Sequence, residues 1–195
     1  IDKGKEIHEE IMSRGLIEKD VVLGNALVDM YAKCGMLARS QRVLEELPIR
    51  NIVSWNALIS GYAQQGECHG TLRSFEHMQS EGLSPDAVTF TCILKACSSA
   101  GDIDVGKRIH DEIARRGLLE KDVVLGTALV DMYATCNVLG KAKHVLEHLP
   151  FRNAASWSAL ISGYTQQGQG HEALNCYEKM QNEGLSPDVV TFICI

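Results

Sequence analysis

The stretch VVLGNALVDMYAKC at residues 21–34 returns as VVLGTALVDMYATC at residues 123–136. The offset of 102 residues holds outward in both directions, from Ile1-Asp2-Lys3-Gly4-Lys5 against Ile103-Asp104-Val105-Gly106-Lys107 to Ile93 against Ile195. About two-thirds of the aligned positions are identical, and no gap is needed. Such a duplication means one structural block used twice.

The block subdivides. NALVDMYAKCG from Asn25 recurs as NALISGYAQQG from Asn56, 31 residues on. IVSWNALI from Ile52 aligns with AVTFTCIL from Ala87 at 35 residues, and that string aligns with VVLGTALV from Val123 at 36. The resulting units are a partial one at 1–20, then 21–51, 52–86, 87–122, 123–153, 154–188, and a stub at 189–195. All are expected within a single array over 1–195.

Each unit reads as two helices. Ala57, Leu58, Gly61 and Tyr62 follow i, i+1, i+4, i+5 spacing, as do Ala26, Leu27, Met30 and Tyr31. That is helical periodicity, not strand alternation. Leu72, Phe75 and Met78 mark the second helix, repeated as Leu174, Tyr177 and Met180. Between the helices stands Gly35, Gly66, Gly101 or Gly168, or Asn137, residue types that tolerate a left-handed helix end. Gly61 and Gly163 fall inside first helices, where Gly costs about 1 kcal/mol against Ala, so close helix contact is expected there. Units end in Asp or Asn, which cap the next helix. One helix pair cannot bury its apolar face alone, so the pairs must stack.

Composition narrows the function. The 195 residues are 45% hydrophobic and 23% charged, enough for a packed core. No apolar run approaches the length of a membrane span, and no membrane partner is expected. The sequence opens without Met or a recognisable signal or transit peptide, as a mature form or a piece of a longer chain would. The formal net charge of −6 argues against indiscriminate, charge-driven binding to duplex DNA. It leaves open binding through base edges and stacking. Seven scattered cysteines without a Cys-x-x-Cys pair read as reduced thiols.

The strings SWNALISGYAQQG and GLSPD resemble the pentatricopeptide repeat. The 31-residue unit from VVLGNALVDMYAKCG and the 36-residue unit from VTFTCILKACSSAGDIDVGKRIHDEI resemble the short (S) and long (L) variants that alternate with the standard (P) unit. The chain is therefore similar to a repeat-array fragment of a plant PLS-class protein. The resemblance implies an all-α, right-handed α-solenoid of helix–turn–helix repeats that binds single-stranded RNA, one nucleotide per repeat. It implies a targeting role in organellar RNA editing or processing, in a mitochondrion or chloroplast. It also implies base reading by the fifth and last residues of each unit: Asn25/Asn51, Asn56/Asp86, Thr91/Asp122, Thr127/Asn153 and Ser158/Asp188. The second residues, Val22, Val53, Val88, Val124 and Ala155, would pack against bases, and Lys33 would meet phosphate. The implied order, 5′ to 3′, is C (or U), U, G or unread, A, G.

The chemistry is consistent with that assignment. Asn offers a donor and an acceptor, Thr and Ser a hydroxyl, and Asp only acceptors, so these pairs can separate bases by edge groups. Helix capping alone would also account for Asp and Asn at unit ends, and the two roles coexist. The positions matching Lys33 are Gln64, Ser99, Thr135 and Gln166, so weak affinity is expected of the fragment. The alternative is a protein-interaction scaffold like a tetratricopeptide array, docking RNA-editing cofactor proteins or self-associating through incomplete terminal repeats.

Catalysis is not expected. His8-Glu9-Glu10 and His110-Asp111-Glu112 match the H-x-E of zinc deaminases, but no P-C-x-x-C accompanies them. No phosphate-binding loop or nucleophile elbow appears, and no metal or cofactor is expected. Trp55 and Trp157 read as interhelix core ahead of RNA stacking.

Overall fold

The computed structural model describes residues 2–195; Ile1, which opens the partial unit 1–20, lies outside the described residues. Among the described residues the fold is all-α, with no strand. The helices are α1 (Asp2–Ser13), α2 (Val21–Lys33), α3 (Leu37–Glu46), α4 (Ile52–Gln64), α5 (Cys68–Ser80), α6 (Ala87–Ala100), α7 (Ile103–Arg115), α8 (Val123–Thr135), α9 (Leu139–His148), α10 (Ala154–Gln166), α11 (Gly170–Asn182) and α12 (Val189–Cys194). Two compact units divide between Ala96 and Cys97, within α6.

Side chains at the unit ends start the helices. The Asp20 carboxylate accepts from the backbone N–H of Val22 at 2.8 Å, and the Asn51 side chain accepts from Val53 and Ser54. Asp122 and Asn153 do the same for α8 and α10, accepting from Leu125 and Ser156 at 3.0 and 2.8 Å. A cap of this kind contributes about 1 kcal/mol by satisfying N–H groups the helix cannot. Within a pair, the chain reverses through positive φ: +73° at Gly35 and +60° at Asn137, the same step of the duplication. Asn tolerates that conformation at some cost where Gly has none.

In the first unit α2 packs on α3 and α4, and α4 on α5. Leu27, Val28, Tyr31, Leu44, Leu58, Ile59 and Met78 are buried there. In the second unit α8 packs on α9 and α10, and α10 on α11, over Leu125, Leu129, Leu146, Leu160, Ile161 and Met180. Each fully buried aliphatic side chain contributes about 1.5–3 kcal/mol. Gly61 permits the α2–α4 contact: a Cβ there would stand 2.7 Å from the Ala32 Cβ. Trp55 and Trp157 are buried in the interhelix core, each donating its indole N–H to a glutamate: Glu81 at 2.8 Å and Glu183 at 2.9 Å. Arg50 and Arg152 close on the same glutamates at 2.6 and 2.8 Å.

The second helices depart from the expected stripe: Leu72 and Tyr177 are only half-buried, and the largest departure is at Leu174. Leu174 is exposed, and the buried line of α11 runs through Ala173, Cys176 and Met180.

Candidate nucleic-acid interface

The second residue of each first helix falls just beyond the cap, on a face no neighbouring helix covers. Val22, Val53, Val88 and Val124 are all more than half exposed, and Ala155 is exposed as well. Burying such side chains is favourable, so each exposed valine gains by being covered. In the first unit Val22, Val53 and Val88 line one open groove of about 610 Å³ together with Asn25, Asn56 and Asp29. The structure thus brings three second-position residues and two fifth-position residues together.

The fifth residues are recessed, not free tips. Asn25 and Ser158 are buried, while Asn56, Thr91 and Thr127 are half-buried. Asn56 donates from Nδ2 to Asp86 Oδ1 at 3.0 Å, so one fifth/last pair is joined directly. Ser158 Oγ lies 3.0 Å from Asp188 Oδ1. Thr127 Oγ1 is 3.4 Å from Asn153 Oδ1, and its closer acceptor is the Val123 carbonyl at 2.9 Å. Thr91 likewise donates to the Ala87 carbonyl at 2.8 Å. Asn25 makes no such link to Asn51, and its buried Oδ1 has no hydrogen-bond partner.

The last residues are helix caps as well as neighbours of the fifth. Asp86 accepts the Thr89 N–H at 2.9 Å, and Asp188 accepts that of Thr191 at 2.8 Å. The Thr191 N–H holds the Asp188 carboxyl below the usual carboxylate range; burial opposes this, and the Thr191 and Ser158 hydroxyls add to it. Asp188 therefore stays an anionic acceptor.

Lys33 is exposed, but its ammonium pairs with Asp29 at 2.7 Å, one helical turn back. A phosphate would have to compete with that carboxylate. Gln64 and Gln166 are turned onto Ser60 and Ser162 in their own helices.

The H-x-E residues are engaged elsewhere. Nδ1 of His110 lies 2.9 Å from the Tyr133 hydroxyl, and Glu112 pairs with Arg115 and Arg116. His8 makes the same contact with Tyr31. Among the described residues no group of three His, Cys, Asp or Glu side chains is placed to hold a metal ion. Nor is any described helix long and apolar enough to cross a membrane. Burial pushes the Cys176 thiol up to about 11, the opposite of an activated nucleophile.

Sequence reasoning missed Thr89 and Thr191, the third residues of their units. Both are fully buried beneath the fifth/last pairs. Their hydroxyls reach Asn56 Oδ1 at 2.7 Å and Ser158 Oγ at 2.6 Å. The available signal was the alternation of third residues: Leu23, Ser54, Thr89, Leu125, Ser156, Thr191.

The PPR repeat family model matches residues 50–99 and 152–195, and the PPR repeat model matches 25–52 and 88–118. A putative pentatricopeptide repeat-containing protein of Arabidopsis thaliana is 42% identical over 195 residues, covering 99% of this chain and 23% of its own length. The chloroplastic pentatricopeptide repeat-containing protein CRR2 of the same plant is 39% identical, covering 99% of this chain and 29% of its own. Further relatives are named chloroplastic and mitochondrial. The chain thus spans roughly a quarter of the length of the curated relatives it matches. Among solved structures, PPR10 in complex with an 18-nt psaJ RNA element aligns over 98% of this chain and 29% of PPR10. Its TM-score is 0.79 at 20% identity, which is a likeness of fold. With repeat models falling in both halves of the duplication and relatives aligned along nearly its whole length, the chain belongs to the pentatricopeptide repeat family.

Proposed function

We propose that this chain is a sequence-selective, single-stranded RNA-binding array of the PLS type, reading one nucleotide per repeat. Its units are a partial L at 1–20, S at 21–51, P at 52–86, L at 87–122, S at 123–153, P at 154–188 and a partial L at 189–195. The groove of the first unit carries this reading: exposed Val22, Val53 and Val88 stand beside the polar Asn25 and Asn56. Valines that gain by being covered hold unstacked bases, and amides beside them meet base edges. The preferred sequence, 5′ to 3′, is C (or U), U, G or unread, A, G. PPR10, a member of the same fold, is captured on an RNA element, which supports RNA as the ligand class.

In its parent protein the array selects an organellar transcript, in a chloroplast or mitochondrion, for editing or processing. It performs no chemistry itself, and any catalytic step belongs to a partner or another domain. The test is a titration with short RNAs carrying C-U-x-A-G against scrambled ones. Selective binding is expected, and Asn56→Thr moves the preference at the second nucleotide from U to G. Equal, salt-erased binding to both RNAs would overturn base reading and leave a protein-docking scaffold.

A further inference from the structure

The third residue after each cap decides whether the reader side chain beside it is held. At the Asn56 position it is. The acceptor-only Asp86 carboxylate claims the NH₂ end of the amide at 3.0 Å, and the Thr89 hydroxyl reaches the oxygen end at 2.7 Å. Both contacts select the same flip of the amide. Thr89 is itself fixed, with its N–H on Asp86 Oδ1 and its hydroxyl within 2.9 Å of that oxygen. The Asn56 amide and the Thr89 N–H both donate to Oδ1, so Asp86 Oδ2 and the second amide hydrogen of Asn56 remain for a ligand. That leaves one donor beside one anionic acceptor, which fits the carbonyl and N–H of a uracil edge.

The arrangement recurs in the second unit. Thr191 Oγ1 lies 2.6 Å from Ser158 Oγ and 2.8 Å from Asp188 Oδ1. It does not recur where the third residue is Ser. The Ser54 hydroxyl turns back on its own cap, bonding the Asn51 carbonyl at 2.8 Å and the Asn51 N–H at 2.9 Å. Ser156 does the same with Asn153. Asn25 is left with an unpartnered buried oxygen, and Thr127 with only a 3.4 Å contact to its unit's last residue.

We propose that Thr89 and Thr191 are specificity-determining positioning residues, locking Asn56 and Ser158 so that these positions discriminate bases more sharply than those read by Asn25 and Thr127. The proposal rests on the RNA-reading function above. Thr89→Val removes the hydroxyl and keeps the shape; Thr89→Ser keeps the hydroxyl. Each is titrated with C-U-x-A-G RNAs varied at the first, the second or the fourth nucleotide, beside the unsubstituted chain. In Thr89→Val, discrimination at the second nucleotide falls about fivefold, the factor one ordinary hydrogen bond carries. Thr89→Ser retains it. Discrimination at the fourth nucleotide, facing Thr127, stays unchanged in both. A merely structural loss would weaken all RNAs alike and leave the ratio at the second nucleotide where it was. Unchanged discrimination in Thr89→Val, equal loss at both nucleotides, or an unsubstituted chain no sharper at the second nucleotide than at the first and fourth would overturn the lock. An unsubstituted chain with no base preference at any position would instead remove the RNA-reading function, and the lock with it.

Discussion

His110 shows how burial decides a side chain's role. Its Nδ1 faces the Tyr133 hydroxyl at 2.9 Å, with the rings edge to face at 5.5 Å. Burial holds its pKa below the ordinary 6.5; Asp111 pulls it up, and Lys141 and His144 push it down. The fold thus favours the neutral ring, while the unfolded chain takes up a proton near 6.5. The stability so gained is present above that value and lost as pH falls through it towards the folded pKa. An NMR titration of His110 is expected to show a midpoint below 6.5. The melting temperature is expected to drop from neutral to mildly acidic pH, with a smaller drop in His110→Gln. The sequence shows His110 and Glu112 as a motif; only the fold shows that one faces a tyrosine and the other two arginines. Likewise, the polar fifth residues are legible from the alignment of units. That Asn25 and Ser158 are recessed is not, because depth below a surface depends on neighbours from other helices.

Among the helices, glycines test packing against propensity. Gly61 in α4 and Gly140 in α9 each cost about 1 kcal/mol relative to Ala as helix residues. At Gly61 a Cβ would also stand 3.1 Å from Leu37 Cδ2 and 3.3 Å from the Ala32 Cα, which is backbone and cannot swing away. Overpacking of that kind costs about 1–3 kcal/mol, so Gly61→Ala is expected to lower the melting temperature. At Gly140 nothing lies within 4 Å, and Gly140→Ala is expected to raise it. Thermal unfolding by circular dichroism decides both, and equal shifts would show that close approach is not what Gly61 serves. The helices themselves are legible in the sequence: capping Asp and Asn, the periodic apolar residues, and the Gly or Asn reversal are local signals. The exposure of Leu174 is not, since helical spacing alone does not say which of two adjacent faces meets α10.

Across the molecule, charge sets the expected dependence on salt. The chain carries a formal −6. Of the side chains equivalent to Lys33, only Lys33 is cationic, and Asp29 shares its charge. For single strands the logarithm of affinity falls with the logarithm of salt by about 0.7 per neutralised phosphate. A slope no steeper than about −1 is therefore expected in RNA titrations at several salt concentrations. A slope of about −3 or steeper would mean that cations elsewhere grip the backbone. The all-α repeat class was fully legible, because the duplication is written in residue identities. The groove was legible in part: its valines follow from the unit register. The threonine lock needs a side chain to reach into the preceding unit, which no spacing rule reveals.

The Arg50–Glu81–Trp55 clamp reappears as Arg152–Glu183–Trp157 with the same atoms bonded. Because the partners are interchangeable copies, a crossover between a clamp's arginine and glutamate would still give that arginine a glutamate. An in-register unequal exchange within such a tract therefore adds or removes whole cassettes while each arginine keeps a fastener to close on.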